Sequence, residues 1–284
     1  MRVMLDVYSG VPNPIWELSA DKAKELVDRL AGKAIDPRAE APNVLGFRGY
    51  VIMSEGDDQL ARAGLPSDFR INLLAPLAGF SLDEDGKEAP PAPLSAESED
   101  TALWLLRTAR GVVDDELAQF VERSIRSSPD TGPGGDPGDK AACVIQNTPY
   151  NPSFWNQPGT QPYNNCYNYA MNYRSNTFAQ PGRISGHLYS SLTCPSVGTA
   201  ADWDGCKTVC SGSNKNVALV IWPGRDYHWY RRHSEGFWGH KPGSTAARNT
   251  DNSGNVIFNP QTCNRGPYTQ FCGYRFSPTG MKVS

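Results

Sequence analysis

Every cysteine and every histidine of this 284-residue chain lies after residue 140. A chain divided in this way folds as two unlike bodies, because only its second half can be cross-linked or carry imidazole chemistry. Its length, about twice that of a usual domain, points the same way. Leucine runs in the opposite sense: Leu188, Leu192 and Leu219 are the only ones in the second half, which holds five of the seven Trp and ten of the twelve Tyr. Charge divides too. Residues 1–140 carry 15 cations against 25 anions and residues 141–284 carry 12 against 5, so the halves stand at −10 and +7.

The second half has the composition of a loop-rich exported domain held by disulfides and aromatic packing. Mean hydropathy is −0.50, and no apolar run approaches the ~18 residues of a helical membrane span. The start, Met1-Arg2-Val3-Met4-Leu5-Asp6, lacks the apolar stretch of a signal peptide. A secreted or extracytoplasmic location is therefore expected from cysteine usage alone, by another export route or after processing. Seven cysteines allow at most three bridges. The expectation is three disulfides within residues 143–272 and one thiol left over.

The fold class read from these patterns is α+β. Over residues 1–126, alternating Val3, Leu5 and Val7, a turn at Gly10–Pro14, then Trp16 and Leu18 read as a hairpin. Ser19 caps a helix with Ala23, Leu26, Val27 and Leu30 on one face, stopped by Gly32. Strands are expected at Gly49–Met53 and Phe69–Leu74, a Pro-rich acidic loop over Asp83–Asp100, and one long helix over Glu99–Arg126. Residues 127–142, rich in Pro and Gly, read as a linker. Residues 143–284 form the basic, aromatic-rich domain. In it Asn165 caps a helix that begins at Cys166, and Val217–Trp222, Tyr227–Arg232 and Gly236–Lys241 read as strands.

Cys166 at a helix start is where unpaired N–H groups stabilise a thiolate. His228 supplies a base on a strand. A hairpin folded about Ser234 makes His228 and His240 cross-strand neighbours, giving a nucleophile, a base and an orienter. In this order and spacing the chain resembles the papain-like cysteine hydrolases, and most of all the NlpC-type cell-wall endopeptidases, over roughly residues 160–245. Around the nucleophile the family's usual Asp-Cys-Ser-Gly is Asn165-Cys166-Tyr167-Asn168 here. The resemblance implies a Cys-bearing helix packed on an antiparallel sheet, catalytic roles for Cys166, His228 and His240, and an oxyanion site at Cys166 N–H with Tyr163 or Gln161. It implies amide or peptide hydrolysis with no cofactor and no metal.

The +7 charge suits an anionic polymer or peptide substrate, and Trp229, Trp238, Arg231 and Arg232 are candidates to touch it. Docking of the acidic N-terminal domain on the basic one is expected from their opposite charges. Two other classes stay open. One is a metal-independent ribonuclease using His228 and His240, with Arg225, Arg231, Arg232 and Arg248 on phosphate. The other is a non-enzymatic secreted binding or toxin module with an aromatic surface. His187 and His233 are expected on the surface. The Cys206-x3-Cys210 pair reads as disulfide cysteines rather than a zinc knuckle, and Lys241-Pro242-Gly243-Ser244-Thr245 lacks phosphate-loop spacing.

Overall fold

The structure, a computed structural model, describes residues 1–33, 35, 41, 44–54, 58–71, 96–126 and 143–284. The linker expected at 127–142 and most of the acidic loop expected at 83–100 lie outside these residues. The chain is α+β. One compact unit comprises Met1–Val7, Asn13–Pro42 and Phe47–Ser128; the other comprises Tyr8–Pro12, Asn43–Gly46 and Pro129–Ser284. No helix among the described residues is long and apolar enough to cross a membrane.

In the first unit, β1 (Arg2–Asp6), β2 (Ile15–Glu17), β3 (Gly49–Met53) and β4 (Asp68–Ile71) form an antiparallel sheet in the order β2-β1-β3-β4. Alternation buries Val3 and Leu5. Helix α1 (Ala20–Leu30) starts where Ser19 accepts from the Lys22 amide at 3.4 Å, and it buries Ala23, Leu26 and Leu30. A short α2 (Asp58–Arg62) follows. The single helix expected over Glu99–Arg126 is two helices, α3 (Ala96–Thr108) and α4 (Asp115–Arg126). Gly111 at φ +87° breaks the run, and Asp114 restarts it by accepting from the Leu117 amide at 3.0 Å.

Asp6 is fully buried and pairs with Arg48 at 2.6 Å and with Arg70. Burial alone would raise its carboxyl, but Arg48 and Arg70 outweigh burial and hold it near 2 against an ordinary 3.8. Its contribution to stability is therefore complete above pH 3.8 and lost as pH falls through about 2. Asp6→Asn should destabilise this unit by roughly 3 kcal/mol, because it strips the Arg48 charge of its carboxylate. Urea denaturation at pH 7 reads the loss, and a change under about 1 kcal/mol would show the pair to be dispensable.

The second unit is built on a five-stranded sheet. Its strands are β5 (Cys143–Ile145), β6 (Gly212–Trp222), β7 (Asp226–Arg232), β8 (Trp238–His240) and β9 (Gln270–Pro278). β5 runs parallel to β6, while β7 and β9 flank β6 antiparallel, with a bulge at Leu219/Val220 against β9. Short α5 (Pro152–Trp155), a 3₁₀ turn (Gln161–Tyr163), α6 (Cys166–Met171) and α7 (Cys194–Trp203) complete it. Alternation along β6 and β7 sends Val217, Leu219, Ile221, Tyr227 and Trp229 into one buried cluster with Cys166, Tyr167 and Met171 of α6. A disulfide joins Cys194 of α7 to Cys272 of β9.

Candidate functional site

Asn165 builds the start of α6. Its Oδ1 accepts from the Tyr167 and Asn168 amides at 3.1 and 3.2 Å, and the Asn168 side chain accepts from the Asn165 amide, closing a capping box. Cys166 is thus the first helical residue and is fully buried. Its thiol donates to the Tyr227 carbonyl at 3.9 Å, and the Trp229 backbone N–H meets the same sulfur. The sulfur therefore lies against the β7 backbone on both sides of His228. Burial, then the Asp226 charge, push the Cys166 thiol well above its ordinary value; Trp229 N–H and Lys241 pull it down. The buried Lys241 ammonium is held by the carbonyls of Asn164, Gln161 (2.5 Å) and Gly243 (2.8 Å).

His228 Nε2 and His240 Nδ1 are 2.8 Å apart, and His240 Nε2 is 2.9 Å from the Thr250 carbonyl. A carbonyl only accepts, so His240 carries its proton on Nε2 and offers Nδ1 as an acceptor. His228 then donates from Nε2 and keeps its lone pair on Nδ1. Both rings are fully buried. Burial first, then Arg248 and His228, drive His240 well below its ordinary value. Burial therefore favours its neutral form, which holds the His228 ring through Nδ1.

Several expectations need correction. The turn has three central residues, Ser234 to Gly236, closed by His233 N–H to Phe237 O at 2.9 Å with Gly236 at φ +95°. This shifts the register by two, so Tyr230 rather than His228 faces His240; the two histidines meet diagonally. His233 is buried, not on the surface, because Tyr169 OH lies 2.7 Å from its Nε2 and Thr148 O 3.2 Å from its Nδ1. Burial, then Arg231, lower it to about 4. Trp229 and Arg231 are buried beneath α6, against Tyr167 and Tyr169, and Trp238 is buried against Tyr274. These three cannot touch a polymer from where they sit; Arg232 is half-buried.

Of the oxyanion candidates, Tyr163 is 55% exposed, and Gln161 is held through its backbone by Lys241. Cys166, Cys206 and Cys263 are free thiols, which rules out three disulfides. Cys210 is bridged while Cys206 is not, so the C-x3-C spacing marks neither one bridge nor a metal pair.

Sequence reasoning missed the other half of the site. The peptide Tyr8–Pro12, part of the second unit, lies beside Cys166, with Val11 packed on the cluster that contains it. The Asp226 carboxylate accepts from the amides of Ser9, Gly10 and Val11 and from Tyr268 OH. Burial outweighs these bonds and pushes it up to about 6. The Gly10 carbonyl accepts from Gln180 Nε2 at 2.8 Å and Asn165 Nδ2 at 3.4 Å. The only local signal was the Gly-Val-Pro-Asn-Pro turn.

No family model and no solved structure matches the chain. Over 138 residues it is 46% identical to insoluble matrix shell protein 1 of Ruditapes philippinarum, an alignment covering 48% of this chain and 93% of that relative. Across that stretch, about half its length, the chain belongs to the family of this shell protein.

Proposed function

We propose that this is an exported protein whose second unit carries a thiol-dependent amide or peptide hydrolase site, with Cys166 as nucleophile, His228 as base and His240 as orienter. The observation that carries the reading is the hydrogen-bond chain from Thr250 O through His240 to His228. It leaves the lone pair on His228 Nδ1. The Cys166 sulfur lies against the backbone of Tyr227 and Trp229, while alternation along β7 turns the His228 ring to the other face with Tyr230 and His240. The base therefore reaches the thiol only after β7 and α6 shift. In the reaction, Nδ1 takes the thiol proton and the sulfur bonds to the substrate carbonyl carbon. The carbonyl electron pair moves to oxygen and returns as the C–N bond breaks, and the imidazolium gives its proton to the leaving amine. Water, deprotonated by the same imidazole, then hydrolyses the thioester. Because Cys166 is buried in this conformation, turnover waits on local opening. An anionic polymer or peptide suits the positive half. Export is supported by the disulfide and by the shell-matrix name of the relative.

That name favours a second reading more than the first: a non-enzymatic module of an extracellular matrix, with Cys166, His228 and His240 as core residues. Exposed Trp203 (59%), stacked on His187 at 3.9 Å, and Phe258 (69%) would then make the contacts. Incubating full-length protein with peptidoglycan or mixed peptides separates the two. New amino groups whose release iodoacetamide blocks are expected for the hydrolase. Retention on an insoluble polymer with no such release establishes the module.

A further inference from the structure

We infer that Asp226, Gln180 and Asn165 form a peptide-backbone subsite selective for glycine, which the chain's own Ser9-Gly10-Val11 fills. Three successive amides of that segment converge on one fully buried carboxylate, while the central carbonyl is met by two side-chain amides. These bonds read backbone alone, so they impose a peptide and not a sequence. Selectivity comes from shape. A Cβ at residue 10 would stand 2.6 Å from two Tyr227 ring atoms and 2.7 Å from the Tyr227 carbonyl oxygen. Both walls are rigid: the ring is fully buried and the carbonyl belongs to β7. Any side chain larger than hydrogen must therefore displace a strand.

The same carbonyl cradle uses Asn165, the residue before Cys166, and Tyr227, whose own carbonyl accepts from the Cys166 thiol. A glycine-containing chain is thus the substrate class this geometry specifies for the site, and residues 9–11 compete with it. The substrate half of the inference rests on the hydrolase reading; the binding half does not.

The test vacates the subsite in the full-length chain. Gly10→Val, checked for native circular dichroism and an intact Cys194–Cys272 bridge, is titrated with fluorescein-labelled Tyr-Ser-Gly-Val-Pro and Tyr-Ser-Val-Val-Pro. The glycine peptide should bind the variant about tenfold or more tighter than it binds wild type, whose site is filled. It should also bind about tenfold or more tighter than the valine peptide, the factor expected of overpacking. Adding Gln180→Leu removes a backbone contact common to both peptides, so it should weaken both while the glycine preference set by Tyr227 persists. Equal binding of both peptides, or none, by a folded variant overturns the inference. If Gly10→Val does not fold, Val11→Asp ejects the segment with a charge and undergoes the same titration. Selective binding without cleavage leaves the subsite standing and removes the hydrolase; thiol-dependent cleavage of both peptides alike removes the subsite only.

Discussion

Cys166→Ala is expected to abolish thiol-dependent hydrolysis, and His228→Ala to lower its rate by roughly 10²–10⁴-fold, the range of a lost general base. His240→Ala should fall by less, because it removes the acceptor that fixes the His228 tautomer but leaves the base. His240→Asn or His240→Gln keeps a polar partner on His228 Nε2 and should recover part of that loss. Initial rates on one peptide substrate, with Cys194–Cys272 intact in every variant, give the comparison. Equal losses for His228→Ala and His240→Ala would show the pair to be structural.

Reducing or removing the Cys194–Cys272 bridge should be the largest stability effect in the second unit. The cross-link spans 78 residues, and a loop of that size restricts the unfolded chain by about 4.5 kcal/mol in the chain-entropy account. At roughly 2–4 °C per kcal/mol for a unit of this size, Tm should drop by about 9–18 °C. Thermal melts of Cys194→Ser/Cys272→Ser at one pH measure it. A shift below about 3 °C would show that this bridge contributes little to the unit's stability.

Short-range chemistry was legible in the sequence. The cap at Asn165, the cap at Ser19 and the β3 and β7 strands follow from local hydrogen bonding and from alternation, both written within a few residues. What failed depends on partners far along the chain. His233 lies in a turn by sequence, yet Tyr169 and Thr148, 64 and 85 positions away, bury it. The apolar spacing over residues 99–126 runs through Gly111 unbroken, so periodicity concealed the helix break. Cysteine parity fixed only an upper limit on bridges; Cys206 and Cys263 stay reduced for want of a placed partner, which no spacing reveals. The subsite was the least legible part, since Asp226 and the Ser9 amide are 217 residues apart.

The account stands on Cys166 acting as a nucleophile served by His228. The most direct measurement is to react the full-length protein with p-nitrophenyl acetate, quench in acid, and locate the acyl group by peptide mapping. The account predicts a thioester on Cys166, absent in Cys166→Ala and strongly reduced in His228→Ala. Acylation confined to the half-buried Cys263, or turnover with no acyl group on Cys166, would contradict it.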